Sequence, residues 1–380
     1  MIPKLYDSFD LSGTTGGVDF LGRITHCKKC LVTEVRNGEY TLDLQTSVND
    51  PTSNILLSQR IIAAKANPHD PDQFFEIQST ERDLSGNVKV SAKHVKNFAC
   101  QLASEGDITK VDNPDVFTLT PSGVWDKLFA LTTGIPYITD ACPFTFTSDI
   151  TATAGFYLGF NAPVTLGAIL GGEEGSMLDM FGGEFRYNNY SIQLLSERGS
   201  QTGYALRYGR NISKAKQSET CEQAYSHIQP YANMSRTDGK NVYLYAKAFE
   251  IPNNECKTKK TFTLDCTHAV RDIQLGMTGQ NYEEARAAMI DYAKRYAKTN
   301  GIGKINVSID VTTRAELDDM LLLGLCDTVK VVLDNFGVTT TAKITSATYN
   351  TLLERWEKMT VGTVAVTLAD LILNKRRYNL

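Results

Sequence analysis

Three kinds of residue grouping in this chain have types and spacing that could do chemistry. The first is His26-Cys27-Lys28-Lys29-Cys30, whose Cys-x-x-Cys is the spacing of half a zinc site or of a redox pair. A zinc site needs a second pair of ligands. The best supply, Cys256, Cys266 and His268, lies far along the chain with irregular spacing. A thioredoxin-like site needs a strand-to-helix context after the motif, whereas an alternating β run and an Asn-Gly turn follow here. Cys27 and Cys30 therefore read as core-facing or edge residues of a strand. The second grouping, Cys266-Thr267-His268, offers a thiol and a base that would share one face of a strand. No neighbour supplies the third group that orients the base.

The third grouping is carboxylates and glycines. Glu316, Asp318 and Asp319, and the pair Glu173-Glu174, have the chemistry of general acids and bases. With no pocket to hold them they read as solvated charges. Gly171-Gly172-Glu173-Glu174-Gly175 and Gly182-Gly183-Glu184 share glycine content with phosphate loops, but lack both the Lys-Ser/Thr ending and the dinucleotide spacing. Helix stops explain them. The five histidines are too dispersed for a zinc-hydrolase signature. His94, where a strand ends and a helix begins, reads as a helix-start hydrogen-bonding residue. No catalytic, cofactor-binding or metal-ligating residue is assigned, and no cofactor is expected.

The bulk numbers set the frame for these residues. A chain of 380 residues holds two or more units, each with its own core. Hydrophobic content of 42% with 22% charged residues is that of a folded protein rather than a disordered one. A formal net charge of -4 excludes the basic footprint that a sequence-independent grip on nucleic acid requires. No apolar stretch reaches the length of a membrane span, and the start lacks the apolar core of a signal peptide. The chain is therefore expected to be made and kept in the cytosol, its eight scattered cysteines as free thiols.

The elements follow from periodicity. Asn37-Gly38 between the runs Cys30–Val35 and Tyr40–Leu44 predicts a hairpin with a type I′ turn. Phe74–Ile77 and Val88–Ala92 flank the turn Ser85-Gly86-Asn87, and Ile61–Ala64 is a buried run, so residues 18–95 read as a small barrel or sandwich. Helices are predicted at Val95–Ala103 and Trp125–Thr132, after an Asn161 cap with Pro163, and after Ser176 with Asp179 at capping-box spacing. Strands return on both sides of Asn188-Asn189, at Tyr204–Tyr208 and at Val242–Tyr245. Asn281 caps the clearest helix, 281–299, whose Tyr282, Ala285, Met289, Tyr292 and Tyr296 form one face. A strand at Ile305–Val311, a hairpin through Asp334–Gly337 and a helix at Thr363–Leu373 complete the chain.

Four stretches, in order, carry a family resemblance. They are Val32-Thr33-Glu34-Val35-Arg36-Asn37-Gly38-Glu39-Tyr40-Thr41-Leu42; Phe75-Glu76-Ile77 through Asp83-Leu84-Ser85-Gly86 to Val90–Val95; Gly182-Gly183-Glu184-Phe185 running to Leu194–Gly199 and Leu206–Asn211; and Leu325-Cys326-Asp327-Thr328-Val329 with Tyr349–Arg355. Together they resemble the phage minor structural proteins, the long-tailed-phage tail-tip hubs also called tail-associated lysins or prophage endopeptidase tail proteins, which are similar to the baseplate hubs of contractile tails. Cys326 stands where relatives carry glycine, which tightens or shifts that turn. The chain ends at Leu380, where longer relatives continue into a hydrolase or a fibre, so a lysin activity is not expected to carry over.

The resemblance implies a β-rich α+β fold with two small β-barrels and α+β companions. Residues 1–95 would be the first barrel and 96–185 an α+β unit. Residues 186–255 with 312–380 would be the second barrel with its C-terminal helix, and 256–311 an α+β insertion. It implies a homotrimer that presents six barrels to a sixfold ring, with the distal tail protein, the tape measure protein and receptor-binding proteins as partners. It further implies a virion tail-tip location after assembly in the host cytoplasm, closure of the tail channel, and no specific nucleic-acid binding beyond DNA passage. The alternative is a cell-wall hydrolase with an unrecognised site.

Overall fold

A computed structural model describes residues 1–9, 17–102, 116–129, 142–157, 165–171, 175–207, 210–220, 224–270, 273–299, 302–303, 306–313, 322–333 and 338–362. The expected Asn161 cap with Pro163, Glu173-Glu174, the carboxylates Glu316, Asp318 and Asp319, the Asp334–Gly337 turn and the 363–373 helix lie outside the described residues.

The first part of the chain is β, as its alternating runs require. It comprises β1 (Lys4–Phe9), β2 (Gly17–Arg23), β3 (Lys29–Val35), β4 (Tyr40–Ser47), β5 (Ile61–Ala64), β6 (Gln73–Arg82) and β7 (Asn87–His94), all antiparallel in the order β3-β4-β7-β6-β5-β1-β2. Along β4 and β7 buried and open positions alternate strictly, placing Tyr40, Leu42, Leu44, Val88, Val90 and Ala92 inside. The β3–β4 hairpin is present, but its turn is not type I′. Asn37 alone is left-handed, with φ of +52°, and Gly38 is not. The Gly38 N–H donates to the Val35 carbonyl at 3.0 Å and the Val35 N–H to Glu39 at 2.9 Å. Asn37 thus takes the third position of a β-turn, where a left-handed residue is Gly or Asn. The cause is long-range, because the Asn37 side chain is held by another strand.

The middle segment carries α1 (Lys96–Gln101), β8 (Val116–Leu119), α2 (Pro121–Phe129), β9 (Thr145–Ser148), β10 (Ala154–Tyr157), α3 (Leu166–Leu170), α4 (Met177–Phe181), β11 (Glu184–Asn188) and β12 (Ser191–Leu195). The Ser176 hydroxyl accepts from the Asp179 N–H at the start of α4, and Gly182 ends that helix at φ of +70°. One hydrophobic cluster runs from Leu5 to Leu194, so this segment and the first sheet share a core.

The rest of the chain carries β13 (Gln201–Arg207), β14 (Ile212–Thr220), β15 (His227–Ser235), β16 (Asn241–Tyr245), β17 (Phe249–Glu250), β18 (Thr261–Asp265), α5 (Tyr282–Thr299), β19 (Asn306–Thr313), β20 (Thr328–Leu333), β21 (Val338–Asn350) and β22 (Arg355–Val361). β21 is long enough to serve three partners, and Ile344–Asn350 pairs with β22. Val338–Lys343 pairs with β20, and Ser346–Asn350 pairs with β3. The first sheet therefore continues through β21 into β22, β19 and β14, a 13-stranded sheet once β13 and β20 are added. The fold is β-rich α+β, and no sheet among the described residues closes into a barrel.

A second cluster, Leu206 to Val361, fills the β13, β20–β22 region, and a third, Ile228 to Ile302, lies between α5 and β15, β16 and β18. Ala285, Met289, Tyr292, Ala293 and Ala297 form the buried face of α5. Asn281 is left-handed, with φ of +65°, and its side-chain amide donates to the Gln274 carbonyl.

A Cβ added at Gly38 would lie 3.1 Å and 3.2 Å from the Val35 side chain. Gly38→Val should therefore cost about 1–3 kcal/mol through crowding rather than backbone sign. A urea unfolding midpoint equal to that of the native chain would show that this turn tolerates the bulk.

Candidate functional site

Among the described residues, the groups with chemical potential do not assemble into a reactive centre. Cys30 is in the core and Cys27 is half-buried. A hydrogen bond to Cys30, together with burial, pushes the Cys27 thiol up, which makes it a poor nucleophile. Cys266 and His268 do not share a strand face, because β18 ends at Asp265 and His268 sits on a 3₁₀ turn, Thr267–Val270. The Cys266 thiol is fully buried and directed at the Leu264 and Met289 carbonyls, 3.6 Å and 3.9 Å away. His268 Nε2 lies 3.5 Å from an Asp179 oxygen, and the Tyr292 hydroxyl donates to the same carboxylate at 3.3 Å. Asp179 is thus the acidic partner that local sequence did not offer, and it joins α4 to α5. Among the described residues no group of three or more His, Cys, Asp or Glu could hold a metal ion.

What the structure does concentrate is charge at one inter-strand junction. Glu184 opens β11 with its side chain 2% exposed. Its carboxylate accepts from Lys343 Nζ at 2.9 Å and from the Arg198 backbone N–H at 2.8 Å, and it pairs with Arg36 Nε at 3.1 Å. Burial alone would raise this carboxyl. The Lys343 and Arg198 hydrogen bonds and the Arg36 charge outweigh burial and hold it below its ordinary value. Beside it, both oxygens of Glu34 accept from the Arg198 fork, at 2.6 Å and 3.0 Å, with side-chain exposures of only 12% and 9%. Arg198 also donates to the Phe185 carbonyl at 3.0 Å. Burial would lower the guanidinium, but the Glu34 charge reverses that and holds it up.

Two left-handed asparagines fasten the neighbouring backbones. Asn37, at the β3–β4 tip, donates to the Gly183 carbonyl at 3.0 Å and accepts from the Phe185 N–H at 2.8 Å. Asn189, at the β11–β12 tip with φ of +49°, accepts from the Phe74 N–H at 3.0 Å and donates to the Asp72 carbonyl at 2.9 Å. Each hairpin tip thus grips a backbone belonging to the other sheet.

On the far side, Gly199 lies against the Cys326–Asp327 peptide so closely that a Cβ there would fall 2.1 Å from the Cys326 carbonyl oxygen. Cys326 is left-handed, φ +73°, at the position where glycine was the expected family residue. Burial pushes its thiol up to about 12. Asp327 accepts from the Ser200 N–H at 2.8 Å and the Gly324 N–H at 2.7 Å.

Three of the four stretches that carried the resemblance therefore meet directly here. The second reaches the same place through His94. Its ring stacks on Tyr40 at 4.3 Å, and its Nδ1 accepts the Lys96 N–H at the start of α1. His94 Nε2 faces Gln73 Oε1 at 3.1 Å, so the ring is neutral with its proton on Nε2. The Lys96 ammonium donates to the Gly38 carbonyl and lies over the Tyr187 ring. Local sequence reasoning gave no role to Glu34, Glu184, Arg198 or Lys343. The available signal was a charged residue beside an obligatory glycine, as in Gly183-Glu184 and Arg198-Gly199. The arrangement can hold several strands in fixed register; it has no open reacting atom.

No protein-family profile matches the sequence, and no curated protein matches it. Solved structures do. The prophage tail protein gp18 of Listeria monocytogenes EGD-e superposes with a TM-score of 0.58 at 11% identity, covering 99% of each chain. A tail protein of Neisseria meningitidis MC58 gives 0.56 at 10% identity over 97% of this chain and 98% of that one. The 43 kDa tail protein of prophage MuSo2 from Shewanella oneidensis gives 0.52 at 11% identity, covering 96% and 98%. The chain shares the fold of these phage-type tail proteins.

Two outcomes follow from the junction. Asn37→Gly keeps the left-handed backbone but removes both amide bonds, so urea unfolding should show a loss of about 1–3 kcal/mol; an unchanged midpoint would reduce Asn37 to a turn residue. His94 is held well below its ordinary value near 6.5 by burial, then by the Lys96 charge. The unfolded chain thus binds a proton the folded chain refuses. Stability should be full above about pH 6.5 and fall as pH drops below it. His94→Gln should remove that part of the slope, and an identical slope in the variant would assign it elsewhere.

Proposed function

We propose that this chain is a structural hub at the tip of a phage-type tail. One observation carries the reading: the superposition on three tail proteins covers at least 96% of this chain and at least 98% of each of them. The charge junction supports it, because a protein that transmits load between rings needs its strands locked in register.

In this reading the chain is a homotrimer. Residues 1–95 form one barrel and residues 186–255 with 312–380 the other, with residues 96–185 as the α+β companion and 256–311 as the insertion. Six barrels would then face a sixfold distal tail ring, while the tape measure protein and receptor-binding proteins contact the remaining surfaces. The trimer closes the channel until attachment and catalyses nothing. It acts in the virion tail tip after assembly in the host cytoplasm. A net charge of -4 gives no general attraction to the genome that passes through.

Mixing the purified chain with its distal tail ring protein and weighing the complex tests the proposal. Three copies per six ring subunits is the expected result. A one-to-one complex, a stable dimer or tetramer of the free chain, or clearing of peptidoglycan in a zymogram would contradict it.

A further inference from the structure

Asparagine followed by glycine is chemically labile in an open chain. Glycine has no Cβ to keep its backbone nitrogen away from the asparagine side chain before it. That nitrogen can reach the side-chain carbonyl carbon and close a ring. The sequence has two such pairs, Asn37-Gly38 and Asn300-Gly301. The first stands at the charge junction, and there both reacting groups are already engaged.

The Gly38 N–H donates to the Val35 carbonyl at 3.0 Å, which holds the proton on the attacking nitrogen. The Asn37 side-chain amide donates to the Gly183 carbonyl at 3.0 Å, and its oxygen accepts from the Phe185 N–H at 2.8 Å. Ring closure swings the carboxamide back over its own backbone, so all three bonds have to break first. Gly183 has little room to follow the side chain. A Cβ there would lie 2.6 Å from the Leu195 carbonyl oxygen, so the start of β11 is already pressed against β12.

We propose that Asn37 is a spontaneous deamidation site that the junction keeps shut, and that a chain whose β11 comes away from the β3–β4 tip is permanently marked there. The Gly38 nitrogen gives its proton to hydroxide and attacks the Asn37 side-chain carbonyl carbon. The bond to the side-chain nitrogen breaks, ammonia leaves, and a cyclic imide forms. Water then opens the imide at either carbonyl, leaving aspartate or isoaspartate at position 37. Nothing is oxidised or reduced.

The product cannot rebuild the clamp. An aspartate at this position still accepts from Phe185, but it has no N–H for Gly183 and sets an oxygen against that carbonyl. It also adds negative charge one residue from Arg36, a cation that neutralises the buried Glu184. Isoaspartate lengthens the backbone at the turn and moves the side chain off both partners. A local opening that would otherwise reverse becomes lasting.

The test is to incubate the intact chain in mildly alkaline buffer, with and without guanidinium chloride, and to follow amide-to-acid conversion by peptide mapping. In the denaturant Asn37 should convert, with Asn300 reporting that the chemistry runs. In native buffer Asn37 should convert at least about tenfold more slowly. Arg198→Met, or guanidinium below the unfolding transition, should raise the native rate. Asn37→Asp, the product itself, should unfold at a lower urea concentration than the native chain. Four outcomes would overturn the proposal: equal rates at Asn37 in native and denatured chain, no conversion of Asn37 in denaturant while Asn300 converts, a native rate that neither treatment moves, or an Asn37→Asp chain as stable as the native one.

Discussion

A carboxylate taken almost completely out of water must be neutralised where it sits, and Glu184 imposes that demand on the whole chain. Its three donors come from Arg36 at the β3–β4 turn, Arg198 after β12, and Lys343 within β21. Without them the fold would strand a buried charge, a loss of several kcal/mol in typical cases. Once the donors are fixed, so is much else. Arg198 is then positioned to fork onto Glu34, Gly199 must meet the Cys326 peptide, and β21 must run beside β3. The continuous sheet and the buried ion network are the same constraint expressed in backbone and in charge.

This explains why the potentially reactive motifs serve structure. The cysteines at 30, 266 and 326 are spent as small buried side chains, and burial raises rather than lowers the thiol of Cys326. His94 is a neutral, stacked hydrogen-bonding residue.

Local rules made much of the fold readable. Alternation marked β3, β4, β6 and β7, the Ser176–Asp179 spacing marked α4, and the apolar stripe marked α5. The Asn-Gly pair announced a hairpin but not its turn, because the side chain of Asn37 answers to Gly183 and Phe185, about 146 residues away in sequence. Strand β15 escaped notice since Pro230 stands in its middle, and proline argues against an inner strand. The junction was invisible for a similar reason. Each of its charges looks like an ordinary surface residue until partners more than a hundred positions away arrive. Only the glycines beside Glu184 and Arg198 hinted that the backbone there had no room for anything else.

The most direct test of this account is a double-mutant cycle on Glu34 and Arg198, using Glu34→Gln, Arg198→Met and the pair, with stability read from urea unfolding. If the buried fork holds the strands together, the two changes couple by about 1.5–3 kcal/mol, and the pair is less damaging than the sum of the singles. Additivity within about 0.5 kcal/mol would mean that the two charges do not act together, and the junction would lose its place as the organising contact of the fold.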